Sequence, residues 1–322
     1  MVRVPTGGPL QSTSAKTLVD VQSGLKFAKS PLWIGQKLLF LDIHDRCIKS
    51  ADLKGTVRTA RALPYLPGSF GVLSDGGFML SDAWRRKIFR WDAAGPKQVA
   101  DLSKVAGFCI SDSTVDSHGG IYVGDVGFDF LDPLVDPVPN GIIVYISADG
   151  KLSVVAGDLF FPNGMIITPD NRTLIVAETL GHRLTAFEIE KDGSLQNRRV
   201  WAQFQDDVKP EGNCLDRDGT IWVTGTDLCA LRVSEGGEID QQITTKRPVF
   251  AAALGGPDRK HLFLCTSDSN DPVITSRASS ATIDIAEVET PGVEYQGGST
   301  VIDSETIFSM RPRVTNAVRH NQ

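Results

Sequence analysis

Apolar residues along this chain do not recur at the three-to-four-residue spacing of a helix face. They come in short runs that end in a small or polar residue: LFLD from Leu39, FMLS from Phe78, IYVG from Ile121, LIVA from Leu174, IWVT from Ile221 and LFLC from Leu262. Successive runs begin 39 to 53 residues apart. A repeat of this length without a helical period predicts the four-stranded blades of a β-propeller, one blade per repeat.

The flanking residues fit that unit. Turn signals precede nearly every run, at Asp75-Gly76-Gly77, Ser117-His118-Gly119-Gly120, Pro169-Asp170-Asn171, Asp218-Gly219 and Pro257-Asp258, and predict hairpins. Upstream of the turns lie the expected innermost strands at 30–34, 70–74, 112–116, 164–168, 213–216 and 251–255. Downstream lie third strands beginning at Cys47, Ile88, Ile143, Leu184, Leu228 and Ala281.

Fourth strands follow in five units, at VRTARAL, KQVADL, SVVAG, NRRVWAQF and EIDQQIT, but the sixth has none after Ala286. The segment TLVDV from Thr17 can supply it, and pairing the chain's beginning into its last blade removes an exposed sheet edge. The sequence therefore predicts an all-β, six-bladed β-propeller with four antiparallel strands per blade, closed by an N-terminal strand. A length of 322 residues alone would suggest two domains, but a repeat distributes its core between neighbours. One propeller domain spanning 1–322 is expected, with a ring over about 15–290 and a tail over about 291–322, where Ile307-Phe308 can pack back onto the ring.

The formal net charge of −6, with no basic run, argues against a nucleic-acid partner. No early stretch has the apolar length of a signal peptide and none later approaches a membrane span, so no membrane partner and a cytoplasmic location are expected. The five cysteines are odd in number and contain no C-x-x-C pair, which favours reduced core residues over a disulfide framework or a zinc knuckle. Asn171-Arg172-Thr173 matches a glycosylation sequon but reads as a hairpin turn.

There is no G-x-S-x-G elbow, Walker loop, G-x-G-x-x-G or H-E-x-x-H. In a propeller, one face of the ring is built from the starts of innermost strands and from the loops joining second to third strands. Four of the six starts carry a polar or charged residue beside Pro or Gly: Lys29-Ser30-Pro31, Gly68-Ser69, Asn163 in Phe161-Pro162-Asn163-Gly164, and Pro210-Glu211-Gly212. Singly these are turn chemistry, but their convergence on one axis points to a site.

With Ser30-Pro31-Leu32-Trp33, Asp112 to Asp116, Phe161-Pro162-Asn163-Gly164-Met165 followed by Thr168-Pro169-Asp170, and Glu211-Gly212 followed by Leu215-Asp216 and Asp218-Gly219, the chain resembles the senescence-marker-protein/gluconolactonase group. That group includes regucalcin, gluconolactonases and bacterial lactonases, and the resemblance runs from about Leu25 to Ser267. It implies a six-bladed ring with one divalent cation, Ca²⁺ or Zn²⁺, near the axis. The implied ligands are a Glu before the Pro-x-Trp motif, the Asn of Pro-Asn-Gly and an Asp before an inner strand, with a further Asn lining the substrate pocket.

In this sequence Asn163 matches the Asn, Glu211 replaces the Asp, Ser111 stands at the further Asn and Lys29 occupies the position of the Glu. Two readings follow. Lys29 and the longer Glu211 form an ion pair in which the ammonium stands where the cation would, or Lys29 turns to solvent and leaves Asn163 and Glu211, with Asp112 and water, to hold a weaker metal.

Two loops between second and third strands are long, Asp125 to Asn140 and Ser267 to Ser280, as lids and binding loops often are. The first brings Phe128, Asp129 and Phe130, and shorter loops bring His44, Trp84-Arg85 and His182. With Phe250 these suggest an aromatic pocket for a small-molecule substrate more apolar than a sugar lactone, although Trp84 and Phe128 can equally pack between blades and the histidines can be surface residues.

The leading functional expectation is hydrolysis of a lactone or related cyclic ester. A cation or Lys29 would polarise the carbonyl, Glu211 would act as base, and Asn163, Ser111 and Asp112 would complete the catalytic set, with Trp84, Phe128, Phe130, His182 and Phe250 binding substrate. The alternatives are a metal-independent isomerase, lyase or cyclase of secondary metabolism using the same pocket, and a non-catalytic propeller that binds a ligand or protein.

Overall fold

The computed structural model describes residues 10–294, apart from Ser74, Ala93, Asp206 and Thr226. Six sheets are arranged as consecutive blades. Blade 1 comprises Ala28–Ile34, Lys37–Asp42, Cys47–Ala51 and Val57–Ala62, from the innermost strand outward. Blades 2 to 5 repeat this antiparallel meander, starting from innermost strands at Pro67–Val72, Ile110–Val115, Pro162–Ile167 and Asn213–Leu215. Blade 6 holds Val249–Gly255, His261–Thr266 and Thr282–Glu287, and its outermost strand is Lys16–Val19, paired antiparallel with Thr282–Glu287.

The second strands are continuous apolar runs because both of their faces are buried, one against each neighbouring blade. In blade 1, Leu38 and Phe40 join a cluster with Ala251, Ala253 and Phe263 of blade 6, whereas Leu39 and Leu41 join Phe70, Val72 and Phe78 of blade 2. Alternating side chains of one strand thus serve two cores. Val19 enters the blade 6 cluster from the N-terminal strand, so that strand contributes packing as well as ladder hydrogen bonds.

Three features go beyond the sequence pattern. A further strand, Gln11–Ser14, runs parallel to Ile239–Thr244 on the outer edge of blade 5, so the N-terminal segment clasps two blades. The loop after Thr266 contains a short helix, Pro272–Arg277, capped by the Asp271 side chain with Pro272 in its first turn. After blade 6 the chain bridges through Gly292 to Asp216 of blade 5. The expected contact of Ile307-Phe308 lies outside the described residues.

Two repeated devices aim residues at the mouth of the ring. In blades 1 to 4 and 6 the pairing of the innermost strand slips by one residue near its start, for instance between Lys29 and Leu32 and between Pro162 and Met165. Such bulges re-aim side chains. The second device is a buried polar residue at or just after the end of the second strand. Asp42 accepts the amides of Lys26 and Phe27, Asp125 those of Gly107 and Phe108, and Glu178 that of Phe160. Thr224 donates its hydroxyl to the Gly212 carbonyl. Each pins the chain just before or beside a residue of the site.

Candidate active site

Lys29, Asn163 and Glu211 start the innermost strands of blades 1 and 4 and lead into that of blade 5, and their side chains meet. The Nζ of Lys29 donates to Oε2 of Glu211 at 2.8 Å and to the Phe250 carbonyl at 3.0 Å. The Nδ2 of Asn163 donates to the same Oε2 at 3.0 Å and to Oγ1 of Thr179 at 3.2 Å. The Thr179 hydroxyl gives its single proton to the Pro210 carbonyl at 2.8 Å, so it can only accept from Asn163. With a carboxylate on its other side, the Asn163 amide must present nitrogen, not oxygen, to Glu211.

The local sequence explains this convergence. A Cβ at Gly164 would lie 2.4 Å from the Glu211 carbonyl oxygen, and one at Gly212 would lie 2.9 Å from Ala251 Cα. The glycines beside Asn163 and Glu211 are what allow blades 4, 5 and 6 to approach at the mouth. Ser30 and Phe161, close to Lys29 and Asn163, have left-handed backbone conformations with φ of 49° and 62°, which are uncommon for residues other than glycine and cluster at functional sites.

Burial alone would lower the Lys29 pKa, but the Glu211 and Asp112 carboxylates outweigh it and hold the ammonium above its ordinary value. Burial pushes the Asp112 carboxyl upward against the pull of Lys29. Asp112 stands next to the cluster over an axial cavity of about 170 Å³ that runs beneath it toward Arg259 and Glu294. Within that cavity's lining, Ser30 Oγ and Asn213 Oδ1 are buried without a hydrogen-bond partner among the described residues. Polar orphans in such a space suit ordered water.

Ser111 is placed differently from the role expected of it. Its hydroxyl donates to the Pro162 carbonyl at 2.6 Å, with Gly124 O at 3.2 Å, so it ties blade 3 to the strand carrying Asn163. His182 is also held by the scaffold, with Nδ1 at 2.9 Å from the Val208 carbonyl. Phe250 offers its backbone carbonyl to Lys29 while its ring packs edge-on to Phe27, which in turn stacks on His44.

The aromatic residues form a chain of edge-to-face contacts beside the cluster. Phe108 lies between Trp84 and Phe130 at 5.4 and 5.6 Å, and Phe161 contacts Phe128 and Phe130 at 6.0 and 5.2 Å. Trp84 and Phe130 are 40% and 42% exposed and form a rim, whereas Phe128 is only 6% exposed and belongs to the packing beneath it. Phe27, Phe108, Phe161 and Thr179 were not singled out from the sequence. Phe161 lies inside the Phe161-Pro162-Asn163-Gly164 segment, and Phe27 and Phe108 sit where buried acids pin the chain, but linear spacing cannot show that these rings touch.

A family model described as the SMP-30/gluconolactonase/LRE-like region matches residues 27–268, which includes Lys29, Asn163 and Glu211. The chain belongs to this family. Among curated relatives, 6-deoxy-6-sulfogluconolactonase from Pseudomonas putida is 28% identical over 253 residues, covering 74% of this chain and 83% of that protein. Among solved structures, a calcium-binding regucalcin from Agrobacterium tumefaciens aligns with a TM-score of 0.72 at 19% identity, covering 89% and 98% of the two chains. A gluconolactonase from Xanthomonas campestris aligns with a TM-score of 0.66 at 21% identity, covering 90% and 99%. These structural likenesses establish the six-bladed fold.

The family implies a divalent cation, and the side chains at the mouth do not fit one. Hard cations take six to eight oxygen ligands, or six in an octahedron, whereas Glu211 Oε2 already accepts from an ammonium and an amide N–H. Among the described residues no group of three or more His, Cys, Asp and Glu side chains is placed to hold a metal. Among the described residues no helix is long and apolar enough to cross a membrane.

Proposed function

We propose that this protein is a lactonase-type hydrolase whose substrate is a lactone or related cyclic ester with an apolar portion. The observation that carries the reading is a carboxylate with one oxygen fixed and one open. Oε2 of Glu211 accepts from Lys29 and Asn163, while Oε1 receives no hydrogen bond among the described residues. The Glu211 side chain is 18% exposed, so water can reach it. Membership of a lactonase-containing family and the 6-deoxy-6-sulfogluconolactonase relative support the reaction class.

In the proposed reaction the lactone carbonyl lies against the Lys29 ammonium. Two of its three N–H groups are committed, to Glu211 and Phe250, and the third donates to the carbonyl oxygen. A water held by Oε1 attacks the carbonyl carbon as Glu211 takes its proton. The tetrahedral oxyanion collapses, the ring C–O bond breaks, and Glu211 returns the proton to the departing alkoxide oxygen. One lactone and one water give one hydroxy acid. The apolar portion of the substrate rests on Trp84, Phe108 and Phe130.

The test is a panel of γ- and δ-lactones carrying alkyl or aryl groups, assayed beside glucono-lactone with detection of the hydroxy acid. Faster opening of the apolar lactones is expected. Absence of turnover across the panel, or a preference for the sugar lactone, would contradict the reading.

A further inference from the structure

We infer that this centre carries its positive charge as the ammonium of Lys29 and not as a divalent cation, and that Lys29 stands in the place where the family would hold the ion. The inference concerns the site of the proposed hydrolysis, and its catalytic consequence rests on that reading. Its test does not.

Four observations converge. The ammonium is bonded to the acid that would have to be a ligand: Nζ lies 2.8 Å from Glu211 Oε2, and its second contact, at 3.0 Å, is a backbone carbonyl. A carboxylate oxygen and a carbonyl are the ligand types a hard cation would take, so lysine occupies these oxygens with hydrogen bonds instead.

The Asn163 amide is turned the wrong way for a cation, which it would have to meet with its carbonyl oxygen. Its nitrogen is held toward Glu211 by that carboxylate and by Thr179, whose hydroxyl is itself committed to Pro210. An ammonium-bonded carboxylate tolerates that N–H, whereas a bound cation would be repelled by it.

The lysine is also placed too well to be an idle surface residue. It is 8% exposed, and the pull of Glu211 and Asp112 keeps it charged in spite of burial. Lys29 stands in the first strand of blade 1 and its ammonium bonds the Phe250 carbonyl of blade 6 and Glu211 before blade 5, so the head bridges three neighbouring blades. Finally, a fixed unit charge at hydrogen-bond distance from Glu211 raises the electrostatic cost of placing a doubly charged ion beside the same carboxylate.

The consequence is a centre whose electrophile cannot dissociate. It also differs from a cation in kind, since an ammonium polarises a carbonyl through one directed N–H and organises no ligand sphere around the substrate.

Calorimetric titration of the full-length protein with CaCl₂, MnCl₂ and ZnCl₂ tests this without any substrate. The wild-type protein is expected to show no saturable one-to-one binding that depends on Glu211, and no change of Tm with EDTA. Lys29→Glu is expected to acquire saturable Ca²⁺ binding with a Ca²⁺-dependent rise in Tm, and Lys29→Glu/Glu211→Gln to lose both. Should Lys29→Glu not fold, Lys29→Gln removes the charge alone, and at least tenfold tighter Ca²⁺ binding than wild type is expected. One-to-one binding by wild type that Glu211→Gln abolishes would overturn the inference. So would a folded Lys29→Glu, or a folded Lys29→Gln, that binds calcium no better than wild type. Binding that survives Glu211→Gln lies outside this centre and leaves it free of metal, as inferred.

Discussion

The Nζ of Lys29 and Oε2 of Glu211 stand 2.8 Å apart at the mouth of the ring, although 182 residues separate them in the chain. Closure of the propeller makes them neighbours: Lys29 opens blade 1, Glu211 precedes blade 5, and the start of blade 6 between them contributes the carbonyl of Phe250. Glu211 is thereby ordered on one oxygen and left open on the other, which is the arrangement the proposed hydrolysis uses.

The pair should be energetically coupled. Breaking a fully buried pair from one side costs about 3–5 kcal/mol, and here the side chains are 10% and 18% exposed, so about 2–3 kcal/mol is expected for Lys29→Met once solvent screening is allowed for. Glu211→Gln keeps an acceptor and should cost less. In urea unfolding, the double variant should be more stable than the sum of the single changes implies, by at least about 1 kcal/mol. Additive effects would show that the two side chains do not depend on each other.

Asp112 gives the pH dependence a definite sign. Its folded pKa is raised, chiefly by burial, so between its unfolded and folded values the native state keeps a proton that the unfolded chain has released. Stability from this group therefore falls as pH rises through that window and stays lower above it. Asp112→Asn, which cannot ionise, should flatten this decline and raise stability at neutral pH relative to wild type. Equal or lower stability of the variant at pH 7, measured by urea unfolding across pH, would contradict the assignment.

The aromatic residues should separate by function. Trp84 and Phe130 are exposed at the rim, so Trp84→Ala and Phe130→Ala should raise KM for an apolar lactone severalfold with little change in stability. Phe128 is buried with Cys109 and Val126, and Phe128→Ala should cost about 3–5 kcal/mol as a cavity-forming change. A stability loss at Trp84 matching that at Phe128 would place both in the core.

Closure through the N-terminus can be dissected by length. Of the described residues, removing 1–14 takes Leu10 and the parallel strand from blade 5, whereas removing 1–23 also takes Lys16–Val19 from blade 6 and Val19 from its core. The longer deletion should lower Tm much further and expose an edge prone to pairing with other chains. Equal melting temperatures for the two truncations would refute the importance of the blade 6 closure.

Much of the ring was readable because the second strands bury both faces, and a fully buried strand writes itself as a continuous apolar run such as Leu38 to Leu41. The closing strand was readable from a deficit, the missing fourth strand after Ala286. The parallel strand Gln11–Ser14 was not, because QSTS is polar and all four residues are exposed, so backbone pairing and the hydroxyl contacts of Thr244 with Ser14 and the Thr13 carbonyl hold it there without an apolar pattern. At the site, Lys29, Asn163 and Glu211 were legible as polar interruptions at equivalent positions of the repeat. Ser111 was equally visible, but sequence could not show that its proton goes to the Pro162 carbonyl. Thr179 was invisible, since what orients Asn163 is a chain of hydrogen bonds running from Asn163 through Thr179 to Pro210, and no linear spacing encodes it.

The most direct measurement of the central claim is the kcat of Glu211→Gln on the apolar lactone that the wild-type protein opens fastest. Gln keeps the shape and accepts from Lys29 but cannot take a proton from water. A fall in kcat of roughly 10²–10⁴-fold, the usual contribution of general-base catalysis, is expected with KM changed by less than about threefold, because transition-state stabilisation is lost without uniform binding. A variant that keeps wild-type kcat would show that Glu211 is not the base and that the chemistry of this mouth lies elsewhere.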